Sequence, residues 1–259
     1  MRVFAVSDLH VDYALNLKWV QGLSRSDHRD DVLILAGDVS HRTALLGTAL
    51  ASLARCFRRV LFVPGNHDLW VLDEPAGTSS LQKFAQVLRC VDEHGASMAA
   101  QRIGDMQFMP MLGWYDYSFG EPGDALREMW MDYRACRWPP GWEPADVARH
   151  FDALNGGPNP TLQAWEPGVT QVISFSHFLP RIDLIPAYVP RRHRELDPVL
   201  GSVRLEDRLR ALRPDIHVYG HSHINRAVSL GGVRYVNNAL GYPQEDAIAA
   251  RRLVCIAEE

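Results

Sequence analysis

The chain has 259 residues, of which 47% are hydrophobic and 22% charged, with a formal net charge of −4. That is enough apolar material for one large α/β domain or two small ones. The slight acidity excludes a global basic field for nucleic acid or an acidic membrane, although local clusters can still bind phosphate. Four widely spaced cysteines, Cys56, Cys90, Cys136 and Cys255, form no C-x-x-C pair and are expected as reduced, mostly buried thiols. "MRVFAVSDLH" lacks the long apolar stretch and small-residue cleavage site of a secretory signal, and no run approaches the roughly 18 apolar residues of a membrane span. A soluble cytoplasmic protein is expected, its oligomeric state left open.

In chain order, the first apolar run is "VFAVS" (3–7), which stops at Asp8 and His10. The second, "VLILAG" (32–37), stops at Gly37-Asp38, and the Leu/Ala spacing of "TALLGTALASLARCFRR" then predicts an amphipathic helix. "VLFVPG" (60–65) runs into Gly65-Asn66-His67-Asp68, and a helix is expected over 80–95. From about 114 to 170 the chain turns rich in Pro, Gly and aromatics, with Trp114, Trp130, Trp138, Trp142 and Trp165 among its residues. Disordered linkers are poor in Trp, so this stretch is expected to be an insertion, a cap packed over a single main domain spanning 1–259. "VISFS" (172–176) precedes His177, "RLEDRLRALRPD" (204–215) predicts a helix stopped by Pro214, and "IHVYG" (216–220) leads into Gly220-His221-Ser222-His223. A hairpin around Gly231-Gly232 and a final strand in "RRLVCIAEE" close the chain. Unbroken apolar runs indicate strands buried on both faces, and strand–helix alternation followed by hairpins indicates a layered α/β architecture.

Each polar strand end is weak evidence alone. Asp-x-His occurs three times, and only Asp8/His10 directly follows an apolar run. Asp92/His94 fits a solvated helix end, and His217 fits a satisfied core histidine. Gly-Asp commonly marks a turn. The force lies in the series, because ligands of open α/β sheets bind outside the carboxyl ends of the strands. If these strands lie side by side, carboxylates, imidazoles and one amide converge, an oxygen/nitrogen donor set without thiolate.

Asp8-x-His10, Gly37-Asp38, Gly65-Asn66-His67-Asp68, His177 and Gly220-His221-Ser222-His223 resemble the five signature blocks of the calcineurin-like metallophosphoesterase superfamily. The resemblance implies a four-layer αββα sandwich, two mixed β-sheets flanked by helices, holding two divalent metal ions. Asp8, His10 and His223 would hold one ion, Asn66, His177 and His221 the other, with Asp38 bridging and His67 acting as a catalytic histidine outside the ligand set. Manganese is the first expectation, with iron or zinc as alternatives. The implied reaction is hydrolysis of a phosphate mono- or diester of a small molecule by in-line attack of metal-bound hydroxide, with His67 protonating the leaving alkoxide. The alternatives are a nucleotide-linked pyrophosphohydrolase and, in another class, a non-catalytic scaffold; full retention of the ligand set counts against the scaffold.

Substrate contacts are expected from Trp114 and Tyr115, which follow "MQFMPMLG", from Arg191 and Arg192 of "PRRHRELDP", and from Arg42 beyond Asp38. The competing readings are a satellite hydrophobic core for the rings and solvated positions for the arginines. Asn237 and Asn238 of "NNALGYPQE" are expected to hydrogen-bond structurally.

Overall fold

The computed structural model describes residues 1–156, 167–245 and 251–259; Trp165 and the side chain of Arg191 lie outside the described residues. In chain order the strands are β1 (Arg2–Val6), β2 (Val32–Ala36), β3 (Arg59–Val63), β4 (Ala96–Ser97), β5 (Gln101–Ile103), β6 (Met106–Pro110), β7 (Gln171–Phe175), β8 (Ile216–Tyr219), β9 (Arg226–Leu230), β10 (Val233–Asn237) and β11 (Val254–Glu258). They form a five-stranded sheet ordered β11-β1-β2-β3-β4 and a six-stranded sheet ordered β5-β6-β7-β8-β10-β9. Within the first, β1 to β4 pair in parallel and β11 runs antiparallel to β1. Within the second, β6, β7, β8 and β10 are mutually parallel, flanked by antiparallel β5 and β9.

The unbroken apolar runs are explained by burial on both sheet faces. Val3, Ala5, Val32, Ile34, Leu61 and Val63 meet Phe108, Ile173, Phe175 and Val218 in a core between the sheets. Their alternates Phe4, Val6, Leu33, Leu35, Val60 and Phe62 face the other way, joining Val20, Leu46, Leu50, Leu53, Val87 and Val91 in a second core. Those last six lie on helices Ala14–Gln21, Thr43–Ala54 and Ser80–Glu93. A third core covers the outer face of the six-stranded sheet and includes Tyr219, Tyr235, Leu205, Leu209 and Phe151. Helix, sheet, sheet, helix is the expected four-layer order.

The helix after β2 ends at Ala54, earlier than its sequence run, because Arg58 already donates its N–H to the Asp31 carbonyl at the approach to β3. The next begins in a capping box between Ser79 and Gln82. Helix Val203–Leu212 closes at Arg213, which adopts φ 50° just before Pro214. The unanticipated elements include helices Ala14–Gln21, Asp124–Met129, Asp132–Ala135, Pro144–Leu154 and Asp197–Leu200, and strands β4 to β6. β6 lies within "MQFMPMLG", an apolar run not read as a strand, with Met106 and Phe108 buried and Gln107 and Met109 half-buried.

Candidate active site

The parallel strands of both sheets deliver their carboxyl ends to one edge, and the loops that follow are tied together by backbone. Asp8 N–H donates to the Gly37 carbonyl (2.9 Å), His10 N–H to the Asp38 carbonyl (3.0 Å), and Gly220 N–H to the His177 carbonyl (2.9 Å). Asp68, fully buried, accepts from the backbone N–H groups of Asp38, Val39, Ser40 and Gly65 at 2.8–3.0 Å. It thus clamps the loop after β2 to the loop after β3. Burial, and next the neighbouring Asp38 charge, push the Asp68 carboxyl up to about 7.

Two groups of donor atoms result. Asp8, His10 and His223 form one, Asp38, His177 and His221 the other, each with ligand atoms within 4.8 Å of one another. Asp38 also groups with His10 and His67, so its carboxylate stands between the two sets. Asn66 joins the second set, its Oδ1 lying 3.2 Å from His177 Nε2. All seven sequence-predicted ligands therefore converge. His67 sits beside them, its Nε2 3.8 Å from Asp38 Oδ2, with its ring stacked on Trp70 at 3.6 Å.

Hydrogen bonds behind the imidazoles select which nitrogen faces inward. His177 Nδ1 donates to the Ala36 carbonyl (2.9 Å), leaving Nε2 for the centre. His221 does the reverse, with Nε2 on the Val199 carbonyl (3.0 Å) and Nδ1 facing His177 Nε2 at 3.1 Å. His223 Nδ1 bonds Glu245 Oε2 (2.6 Å), and its Nε2 faces His10 Nε2 at 3.1 Å. Paired ring nitrogens at such separations demand a cation or a shared proton between their lone pairs. The donor set, two carboxylates, an amide and four imidazoles, fits a pair of divalent ions of the manganese, iron or zinc type.

The titration behaviour of these groups by themselves agrees. Burial alone would lower His177 and His223, yet Asp38 beside the first and Asp8 and Glu245 beside the second lift them to about 9 and about 10. Burial lowers His10 and His221 to about 3 and His67 to about 4. Despite full burial, which opposes ionisation, His223 holds Asp8 at about 2, and His177 and His67 hold Asp38 well below the usual carboxylate range.

The backbone is also under load here. Seven described non-glycine residues have positive φ, and five of them are candidate ligands: Asp8 (52°), His10 (40°), Asp38 (56°), His221 (67°) and His223 (54°). The left-handed region costs a side chain on the order of 1–2 kcal/mol, and such strain clusters at functional sites. Two glycines make the close approach possible: a Cβ on Gly65 would collide with the Asp38 carboxylate, and one on Gly220 would lie 2.9 Å from Asp8 Oδ2.

A family model described as calcineurin-like phosphoesterase matches residues 1–225. The chain belongs to the calcineurin-like phosphoesterase family. It is a hydrolase acting on phosphoester bonds. It is 28% identical to the "[Acyl-carrier-protein] phosphodiesterase PptH" of Mycobacterium tuberculosis (strain ATCC 25618 / H37Rv), over 94% of this chain and 78% of the relative. The crystal structure of phosphopantetheinyl hydrolase (PptH) from Mycobacterium tuberculosis superimposes with a TM-score of 0.81 at 25% identity, covering 100% of this chain and 96% of that one.

Several parts of the phosphoesterase site have no counterpart in the sequence reading. Asp132, from the aromatic stretch, is fully buried and accepts from Asn66 Nδ2 (2.9 Å), Trp70 Nε1 (2.6 Å) and Trp130 Nε1 (2.9 Å). Glu245 orients His223, and the Tyr242 ring lies 4.4 Å from that of His10 with its hydroxyl 3.5 Å from His67 Nε2. Both belong to "NNALGYPQE", quoted above for its asparagines. Those asparagines are structural as expected: Asn237 donates to the Gly220 carbonyl and Asn238 to that of Ala5.

The expected substrate contacts fare differently. Trp114 and Tyr115 are corrected: each is only 1% exposed. Trp114 packs edge-on against Trp138 and Phe178, because the chain leaving β6 dives into the outer core, where large rings bury the most apolar surface. Trp130 approaches the site instead, edge-on to His221 at 5.8 Å. Arg42 is held by Asp73 at 2.9 Å on the surface, Arg192 is exposed, and the Arg191 side chain is outside the described residues. His217 is a satisfied core histidine, between the hydroxyls of Ser174 and Ser176. No helix among the described residues is long and apolar enough to cross a membrane.

Proposed function

We propose that this phosphoesterase uses two divalent metal ions, manganese first, to hydrolyse the phosphodiester that joins a phosphopantetheinyl group to an acyl carrier protein. The observation that carries the reading is the Asp38 carboxylate standing between two buried donor clusters on adjoining strand ends. The substrate class comes from the similarity along nearly the whole chain to a relative named for that bond.

Asp8, His10 and His223 would hold one ion and Asn66, His177 and His221 the other, with Asp38 shared. Bound there, the two ions supply the charge that stabilises phosphoryl oxygens in an in-line displacement and lowers the pKa of water. The remaining work falls to the chain. An alkoxide is a poor leaving group, so a proton must reach its oxygen as the bond breaks. His67 is placed for this, with the Trp70 ring behind it and Nε2 open to the centre. Burial keeps it uncharged by itself, at about 4, so it would act as a relay, the attacking water giving up one proton and the departing oxygen taking one. Asp132 holds the Asn66 amide so that Oδ1 points inward, and it anchors Trp70 from the other side.

A nucleotide-linked pyrophosphohydrolase has less support, since the rings that would line its apolar cap, Trp114 and Tyr115, are buried. A scaffold role gains nothing from a complete donor set. The test is incubation of holo acyl carrier protein with the purified enzyme and Mn²⁺, followed by intact-mass measurement. Loss of one phosphopantetheinyl group per carrier is expected. An unchanged carrier mass with Mn²⁺, Fe²⁺ and Zn²⁺ alike would remove the substrate assignment.

A further inference from the structure

A cavity of about 470 Å³ opens beside the paired clusters and shares a wall with them. Ser222, in that wall, stands between His221 and His223 in sequence. Glu245, also in the wall, is the residue that orients His223. Leu200, a third lining residue, follows Val199, whose carbonyl orients His221. The rest of the lining is mostly apolar, with Ile185, Val189, Leu196 and Ile224, and includes His193 and Asp197.

We infer that this cavity receives the flexible, amide-bearing aliphatic arm of the diester substrate, so that the arm fixes the scissile bond against the donor clusters. The inference rests on the phosphodiesterase reading above and adds a site to it. Two features define the occupant. The aliphatic walls favour an uncharged chain, and the volume lies within the range of small-molecule sites. Its two carboxylates, Asp197 and Glu245, are already taken by Arg194 (2.7 Å) and His223 (2.6 Å), and the imidazole-rich clusters beside the cavity are the place for the anionic end. A nucleotide, with its charge and planar base, does not meet both conditions.

The test uses two filling variants, Val189→Trp and Leu196→Trp, both outside the donor clusters. Two diesters are compared, holo acyl carrier protein and bis(4-nitrophenyl) phosphate, which has no arm. Each variant is expected to raise KM for the holo carrier at least tenfold while holding kcat/KM for the aryl diester within twofold. Calorimetric titration of free pantetheine, which has the arm and no diester, should show at least tenfold weaker binding in both variants, with no turnover required. If one variant loses its thermal unfolding transition, the other carries the test. Unchanged KM and unchanged pantetheine affinity in a folded variant overturn the arm site, as does an equal loss on both diesters. Wild-type enzyme that cleaves the aryl diester but never the holo carrier defeats the substrate reading instead, and the pantetheine titration then still decides the cavity by itself.

Discussion

Asn66 Nδ2 donates to Asp132 Oδ1 at 2.9 Å, so a carboxylate 66 residues downstream fixes the orientation of an amide at the end of β3. Without that acceptor the two ends of the amide would be free to exchange. With it, Oδ1 is committed to His177 and the space beside Asp38. Asp132→Ala strips the acceptor from Asn66, Trp70 and Trp130 together. The expected result is metal affinity at the His177 cluster weakened about 10–100-fold, the usual scale for losing an outer partner of a ligand. Metal titration by calorimetry measures it, and unchanged affinity in a folded variant removes Asp132 from the site.

His67→Ala should leave metal content intact, because His67 is outside the proposed ligand set, while turnover falls. The loss is expected at about 10²-fold or more for an alkyl leaving group, the range of general acid catalysis, and far less for a nitrophenyl group. Parallel kcat measurements on alkyl and aryl diesters decide the matter. Equal losses on both would deny His67 its proton.

Gly65→Ala tests the close packing of the clusters. The added methyl would press on the Asp38 carboxylate between them. It would also lie 2.7 Å from the Asp38 backbone nitrogen, so the loop after β2 must shift, and thermal unfolding is recorded beside the metal content. Bound metal should fall below two ions per chain and turnover at least 100-fold, by elemental analysis and diester assay. Full occupancy with full activity would show that Asp38 is not shared.

His217 makes stability depend on pH. Its ring is fully buried, and burial lowers it from 6.5 to about 3. The folded state therefore binds this proton less readily than the unfolded state does. The contribution is complete above about 6.5 and is lost as pH falls toward 3. By pH 5 this group alone costs about 2 kcal/mol relative to pH 7.5. Urea unfolding at both pH values, for the parent and for His217→Gln, isolates it: the variant should lose stability less steeply on acidification. Identical slopes would show that His217 contributes nothing.

What the sequence determined was the frame and the inward-facing donors. Strands buried on both faces appear as unbroken apolar runs, and each run ends where a ligand type begins, so β1, β2, β3, β7 and β8 and their trailing Asp8, Asp38, Asn66, His177 and His221 were legible. The signal is local, because burial on two faces disfavours polar residues within the strand unless they are paired, as His217 is with Ser174. The supports of those donors were decided by tertiary structure. Asp132 and Glu245 reach Asn66 and His223 across 66 and 22 residues, from stretches whose composition announces only turns and aromatic packing. Likewise Trp114 and Tyr115 differ from Trp130 in nothing a sequence displays, and only the path of the chain after β6 buries the first two while carrying Trp130 to His221. Orientation of an amide, choice of an imidazole nitrogen and tolerance of a left-handed backbone depend on atoms brought together by the fold, and no local pattern encodes them.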